Sequence, residues 1–265
     1  MTPRAAVFVF HEIVPAAALG AVPPDERPYA LAPEDFRALV LAARTSERRA
    51  VPVGTLPVEL GALCYSLTFD DGHASDYMQA FPVLHELGLR ATFFVVPTLV
   101  DTPGFVTWDQ LREMVAAGME IGSHSLTHPF VDGLGPAELR REFGDSKAII
   151  EDRLGAAVRS ASLPRGWGAP HLEEILQELG YRVFCTSRVG WWHPGGRPLS
   201  IPRVRASADL TVEHFAAIVD GAPRSLWGIQ AVEAAKAMVK LCLGRRGWNW
   251  VRTPFLRLRY TLEAR

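Results

Sequence analysis

Short apolar segments alternate with segments of helical length along most of the chain, and this alternation limits the folds available. Residues 6–10 (AVFVF), 91–96 (ATFFVV) and 181–187 (YRVFCTS) have the length of buried strands, whereas 33–44 and 108–118 have a helical period. Strands joined through helices pair in parallel, with right-handed crossovers. The sequence therefore predicts an α/β domain of about seven units, and this number suits a barrel as well as an open sheet.

Composition excludes several classes of function. The 265 residues are 48% hydrophobic and 22% charged with a net charge of −1, so no global field attracts nucleic acid. The first apolar run spans five residues, which is too short for a signal-peptide core, and no apolar stretch has the length of a membrane span. Three widely spaced cysteines complete the expectation of a cytoplasmic protein with reduced thiols.

The segment after Gly221 differs from the rest of the chain. Residues 223–260 carry eight basic residues, one acid and three tryptophans. We treat 222–265 as a helical extension of an alternating domain that covers 1–221. Two interpretations remain open: a peripheral contact with an anionic membrane, or a terminal helix that packs on the domain and keeps it soluble.

Two adjacent carboxylates, Asp70 and Asp71, follow the apolar run 62–69. In both candidate architectures, reactive side chains gather at the carboxyl ends of the parallel strands. His124 and His128, four residues apart, follow a later strand and would share one face of a helical turn, although a solvated loop is the alternative. Two imidazoles and one carboxylate suit Zn²⁺ or another divalent transition metal. The second carboxylate would then act as the base for water that the ion activates.

Two motifs make the chain resemble a known family. TFDDG (68–72), followed about fifty residues later by HSLTH (124–128), is similar to the polysaccharide deacetylases of the NodB-homology type, carbohydrate esterase family 4. The resemblance covers about residues 5–215 and implies a distorted (β/α) barrel. It also implies that Asp70 is the general base and that Asp71, His124 and His128 bind the metal. Members of the family remove an N-acetyl group, or in some cases a formyl group, from an amino sugar.

The third motif departs from the family pattern. In SLPRG (162–166), Ser162 stands where the family has an arginine that orients the base, and Arg165 stands where it has a tyrosine. Pro164 fits the pattern. The backbone N–H of Arg165 would still donate to the developing oxyanion, since every residue except proline has one. The missing arginine leaves open what orients Asp70.

The histidine that usually follows the last strand is also missing, and SIPRVRA (200–206) stands in its place. The leaving amine still requires an acid. His11 follows the first strand, which a barrel brings beside the last strand, and a histidine that caps the strand end is the alternative. An early histidine resembles the branch of poly-N-acetylglucosamine deacetylases. Trp192, on a Gly- and Pro-rich loop, would stack on a sugar ring or pack beneath the loop.

Other functions remain to be compared with a sugar N-deacetylase of an exopolysaccharide, glycolipid or nucleotide-sugar pathway. One is a non-catalytic carbohydrate-binding protein of the same fold, and another is a deformylase or deacetylase of a lipid-linked sugar. A third is a non-haem iron oxygenase, which also uses two histidines and one carboxylate. Oxygenases of that kind usually place a histidine and the carboxylate two residues apart, whereas here the histidines are paired.

Overall fold

The computed structural model of the protein describes residues 4–23, 26–56 and 63–262. The ends of the predicted units 1–221 and 222–265, and Ala62 in the predicted strand 62–69, lie outside the described residues. The strands are β1 (Val7–Phe10), β2 (Arg49–Ala50), β3 (Cys64–Phe69), β4 (Thr92–Val95), β5 (Glu120–Ser123), β6 (Ser160–Ser162), β7 (Val183–Cys185) and β8 (Val204–Arg205). The helices are α1 (Pro33–Arg44), α2 (Phe81–Glu86), α3 (Trp108–Ala116), α4 (Pro136–Leu154), α5 (Leu172–Glu178), α6 (Val212–Val219) and α7 (Trp227–Leu262).

All strand pairs between these elements are parallel, as the alternation predicts. The sheet has the order β7-β6-β5-β4-β3-β1-β8, and β2 pairs with β3 beside this path. Seven strands on the main path match the predicted seven units. β1 lies between β3 and β8, so the carboxyl end of the first strand is placed next to that of the last, as the barrel interpretation requires.

One short segment connects the two edges of the sheet. Ile201 pairs with Cys185 of β7 through two backbone hydrogen bonds, Thr186 N–H to Ile201 O and Ile201 N–H to Phe184 O, both 2.8 Å. Three residues later, β8 pairs with β1. We call Ile201–Arg205 the closing segment. It curls the sheet into the distorted (β/α) barrel and directs the side chains between its two pairings toward the interior.

A row of phenylalanine rings aligns three adjacent strands, β1, β3 and β4. Phe10 of β1, Phe69 of β3 and Phe93 of β4 are neighbours in register and are fully buried or nearly so. Their rings stack at centroid distances of 5.1 Å and 4.5 Å. Offset stacking of this kind adds to the free energy gained from burial. Because His11 and Asp70 directly follow the first two phenylalanines, this row sets the level of the residues above it.

A glycine in β5 allows the sheet and the interior to pack closely. A Cβ atom on Gly122 would lie 2.5 Å from a ring carbon of Phe94 and 2.8 Å from Ser160 Oγ. We expect Gly122→Ala to lower the free energy of unfolding by about 1–3 kcal/mol, because the added methyl group overpacks the core. Gly133→Ala is the matched control, since a Cβ there meets no atom within 4 Å. Urea denaturation of both variants checks this, and equal midpoints would contradict it.

Candidate active site

The predicted catalytic and metal-binding side chains meet at one end of the barrel. His11 follows β1, Asp70 and Asp71 follow β3, and His124 follows β5. In the sheet, β3 has β1 on one side and β4 on the other, and β5 follows β4. Because all these strands are parallel, their carboxyl ends lie on the same rim.

Asp71, His124 and His128 form a compact donor set. Asp71 Oδ1 lies 3.3 Å from His124 Nε2 and 3.2 Å from His128 Nε2. One ligand atom from each residue lies within 4.8 Å of the others. Two neutral imidazole nitrogens and one carboxylate oxygen are the donors that Zn²⁺ and similar ions take, with positions left for water and substrate. The donor set therefore fits a divalent transition metal.

The loop that carries the two histidines is not helical, and the predicted helical turn over 124–128 is wrong. Ser125 and His128 instead adopt positive φ angles of 64° and 57°, which reverse the chain and bring both rings to Asp71. Asp71 itself has φ 79°. Left-handed backbone costs free energy outside glycine and is concentrated at functional sites. The four-residue spacing of His124 and His128 does not predict these backbone angles.

A buried carboxylate on α4 holds this loop in place. Glu142 accepts hydrogen bonds from the backbone N–H groups of Leu126 and Thr127, at 3.1 and 3.0 Å, and from the Thr127 hydroxyl at 2.9 Å. The Ser125 hydroxyl accepts from the backbone N–H of His128. These hydrogen bonds satisfy the polar backbone groups of the strained loop and fix the position of His128.

Arg203 is a residue of the site that no sequence motif predicts. It lies in the closing segment, and its guanidinium donates two hydrogen bonds to Asp70, at 2.7 Å to Oδ1 and 2.8 Å to Oδ2. Both residues are only 3% exposed. A bidentate pair between buried groups fixes the plane of the carboxylate. Arg203 therefore supplies the charged, bidentate contact to Asp70 that a serine at position 162, the usual position of the arginine, cannot make.

Ser162 connects Asp70 to a metal-binding histidine. Its hydroxyl donates to Asp70 Oδ1 at 3.3 Å and lies 2.5 Å from His124 Nδ1. A hydroxyl has one proton, so the Ser162 oxygen must accept from His124 while it donates to Asp70. This arrangement keeps a proton on Nδ1 and turns Nε2 toward Asp71, so Nε2 is the nitrogen that would bind a metal.

The two aspartates are both ionised at neutral pH. Burial would raise the pKa of Asp70, but the charges of Arg203 and His124 outweigh it, and the pKa lies below its usual value. Burial also opposes ionisation of Asp71, whereas hydrogen bonds from His124 and His73 hold its pKa well below the usual value. Nearby cationic and hydrogen-bond-donating groups thus allow the two adjacent carboxylates to be charged at the same time.

His11 is partly buried beside these charges, and its Nδ1 atom is inaccessible to solvent. Burial lowers its pKa to about 4, despite the opposing influence of Asp71 and Asp70. Its ring lies 4.8 Å from that of Tyr29, and Nδ1 has no hydrogen-bond partner among the described residues. The imidazole is therefore neutral near pH 7 and has one ring nitrogen that is not held by the protein.

His73 lies behind the carboxylate that the two metal-binding histidines approach. Its Nε2 is 3.6 Å from Asp71 Oδ2, the oxygen that does not face His124 and His128. Its ring stacks on Phe105 at 5.3 Å. Burial disfavours the charged imidazole, but the hydrogen bond and charge of Asp71 prevail and raise the pKa of His73 to about 8. His73 thus orients Asp71 from the side opposite the donor set.

Of the three predicted substrate-binding residues, Arg165 and Pro164 lie next to the metal-binding loop, whereas Trp192 does not. Arg165 is exposed, has φ 56°, and donates from Nε to the carbonyl oxygen of His128 at 3.0 Å, while Pro164 is buried beside it. This places the third motif against the metal-binding loop. Trp192 is 5% exposed and pairs with Ala5, which precedes β1, so it lies toward the opposite end of the strands and packs in the core. Its position fits the packing alternative, and the structure does not bring it to the rim.

Comparisons with known proteins point to one family. The sequence model of the family described as polysaccharide deacetylase matches residues 59–184. Poly-beta-1,6-N-acetyl-D-glucosamine N-deacetylase of Escherichia coli (strain K12) is 28% identical over 193 residues, covering 57% of this chain and 29% of that protein. Chitooligosaccharide deacetylase of Bradyrhizobium sp. (strain ANU 289) is 36% identical over 109 residues, covering 40% of this chain and 44% of that protein. YxkH of Bacillus subtilis (strain 168) is 28% identical over 157 residues, covering 59% of this chain and 56% of that protein. The chain thus spans about half of the length of these relatives, or less.

Solved structures show the same fold over most of the chain. IcaB from Ammonifex degensii is 25% identical with a TM-score of 0.71, covering 83% of this chain and 98% of that one. The Streptococcus pyogenes deacetylase PplD, in complex with acetate, has the same fold, with a TM-score of 0.72 at 21% identity, covering 80% of this chain and 96% of that one. The resemblance of TFDDG and HSLTH to the polysaccharide deacetylases is therefore confirmed, with the family model covering residues 59–184 and the shared fold covering most of the chain.

Proposed function

We propose that this protein is a metal-dependent hydrolase that removes an N-acetyl or other N-acyl group from an amino sugar in a polysaccharide, glycolipid or sugar-intermediate pathway. One observation carries the proposal: Asp70, a buried carboxylate kept ionised by Arg203, directly precedes a complete Asp-His-His donor set. The family relationship supports the reaction class. Zn²⁺ is the ion that we assign to the donor set.

Asp70 is positioned to act as the base. Its Oδ2 lies 3.9 Å from His124 Nε2, so a water molecule held at the donor set would be within reach of this carboxylate. When bound, the ion would act as a Lewis acid, lowering the pKa of water and polarising the acyl carbonyl. Asp70 would take one proton from the attacking water while Arg203 keeps the carboxylate oriented.

The remaining steps need an oxyanion donor and an acid. The backbone N–H of Arg165 would donate to the oxygen of the acyl group as it gains charge. The bond between the acyl carbon and nitrogen then breaks, and the nitrogen must receive a proton, because an amine anion is a very poor leaving group. His11 would donate that proton. Since its pKa is about 4, the ring gains the proton during turnover rather than before it.

The competing functions explain less of the site. A carbohydrate-binding protein of the same fold would gain nothing from a buried base whose charge requires a second buried charge, which is costly to desolvate. An iron oxygenase has no use for such a base beside the donor set. A deformylase or deacetylase of a lipid-linked sugar uses the same residues, so it differs only in the substrate.

The first prediction concerns the base. We expect Asp70→Asn to retain the metal and to lower kcat for acetate release by at least about 100-fold, because the amide cannot accept the proton from water. Metal content is measured by elemental analysis, and acetate release on N-acetylated oligosaccharides with stripped and metal-restored protein. Asp109→Asn, at an exposed position on α3, is the control. An Asp70→Asn variant with wild-type turnover would remove Asp70 from this role.

The second prediction concerns Arg203. Arg203→Met leaves Asp70 buried without its counter-charge, so the pKa of Asp70 should rise and the acid limb of the kcat/KM profile should move to higher pH. Arg203→Lys keeps a charge but not two parallel hydrogen bonds, so we expect a smaller shift of the limb and a kcat reduced about 10-fold. The exposed Arg188, changed to Lys, is the control. An acid limb that does not move in either Arg203 variant would mean that Arg203 is purely structural.

The third prediction tests His11 through the leaving group. An aryl acetate releases a phenolate that needs no proton, whereas an acetamido sugar releases an amine that does. We therefore expect His11→Ala to reduce amide hydrolysis by about 100-fold or more and aryl ester hydrolysis by less than about 10-fold. Equal losses on both substrates would show that His11 only shapes the site, and no loss on either would place the acid elsewhere.

A further inference from the structure

The C-terminal helix α7 exposes its apolar side and covers its charged side. In the described part of the helix, Ile229 packs against the core, and Glu233, Lys236 and Lys240 are partly buried at the same helical spacing. Lys236 pairs with Glu233 at 2.6 Å, and Lys240 lies 5.3 Å from the ring of Trp167 in the barrel domain. The charged residues between 227 and 244 therefore face the protein.

The opposite side of α7 forms an apolar stripe. Trp227, Met238 and Leu241 are 61%, 63% and 82% exposed, and they recur with Ala231 and Ala234 at a spacing of three or four residues. Between 227 and 244, every exposed position is uncharged. A surface helix normally has the reverse arrangement, with apolar residues inside and charges outside. Large exposed apolar side chains grouped on one face indicate an interaction surface.

The charge of the chain is divided between its two parts. Residues 222–265 hold nine basic and two acidic residues, whereas 1–221 hold 19 basic and 27 acidic residues. Five arginines follow the stripe, at 245, 246, 252, 257 and 259, and the sequence from 245 to 262 contains no acid. Trp248 and Trp250 lie among them. Basic residues next to apolar and aromatic ones complement an anionic lipid surface, where rings lie at the level of the headgroups.

We propose that the stripe and the basic segment that follows it dock this protein on the surface of an anionic lipid bilayer. Among the described residues, none of the helices could span a bilayer. A second copy of the chain is a poorer occupant, because two basic segments would repel each other. The proposal goes beyond the proposed hydrolase function and does not depend on it.

Docking would bring the active-site rim close to the lipid. Trp167, which Lys240 contacts, is two residues from Arg165, and Arg165 donates to the carbonyl oxygen of His128 in the metal-binding loop. The helix thus touches the loop that borders the donor set. An amino sugar held at the membrane by a lipid would be presented to that rim, whereas a freely soluble sugar would gain nothing from docking.

Cys242 allows binding to be measured without turnover. It is exposed on α7, whereas the other two cysteines, Cys64 and Cys185, are buried, so an environment-sensitive fluorophore can be attached there selectively. We expect a blue shift and increased emission on vesicles of phosphatidylcholine with 30% phosphatidylglycerol. Pure phosphatidylcholine vesicles should give a response at least about 10-fold weaker, and 0.5 M NaCl should reduce binding to the anionic vesicles.

Matched variants separate the stripe from general surface effects. Met238→Glu places a charge on the stripe and should lower the apparent affinity for anionic vesicles by about 10-fold or more. Met78→Glu is the control, because Met78 is 62% exposed on the barrel domain and should leave binding unchanged. Arg245→Gln combined with Arg246→Gln should weaken binding and reduce its salt dependence. Co-sedimentation of unlabelled protein provides a second measurement of all variants.

Three outcomes would overturn the proposal. The first is no binding to either kind of vesicle, and the second is equal binding to anionic and neutral vesicles. The third is a fluorescence change that depends on protein concentration and appears without lipid, which would assign the stripe to self-association. Hydrolysis of a soluble acetylated substrate is measured on the same samples. If hydrolysis is retained but the protein does not bind vesicles, only the membrane-docking proposal is refuted. If the protein binds anionic vesicles but does not hydrolyse the substrate, only the proposed hydrolase function is refuted.

Discussion

The buried, bidentate ion pair between Asp70 and Arg203 links the closure of the barrel to the charge of the proposed catalytic base. Two charges removed from water cost several kcal/mol each, and only close pairing and further hydrogen bonds offset this. Arg203 meets this condition with two bonds to Asp70 and one each to Thr68 Oγ1 and the carbonyl oxygen of Thr186, both 3.2 Å long. The pair thereby joins β3 to the segment that closes the barrel and keeps a carboxylate charged beside the donor set.

The contacts that close the barrel consequently also hold the site together. The closing segment pairs with β7 through Ile201 and with β1 through β8, and Arg203 lies between these two pairings. If either edge separated, the guanidinium would leave Asp70 and the carboxylate would remain buried without a partner. A site built this way resists partial opening, because breaking a buried pair costs more than the pair contributes.

The sequence predicts those features that depend on local pattern. Alternating apolar runs predict the parallel strands, and the strand ends predict the meeting of Asp71 with His124 and His128. Arg203 was missed because it is 133 residues from Asp70 and lies in no motif, so only the barrel topology makes them neighbours. The predicted helical turn over 124–128 is wrong because Ser125 and His128 adopt positive φ angles, and hydrogen bonds to Glu142 stabilise that conformation. The composition of its loop suggests a sugar contact for Trp192, but composition carries no information about which end of the strands the ring lies at.

The protonation states of the site limit how the reaction would proceed. Before substrate binds, Asp70 is ionised and His11 is neutral at pH 7, so neither residue holds a proton to donate. Amide hydrolysis needs one proton removed from water and one delivered to nitrogen. In the proposed reaction, the proton that Asp70 takes from water would be the one that His11 passes to the amine. The low pKa of His11 opposes its own protonation but favours the last step, because an imidazolium with so low a pKa gives up its proton readily to an amine.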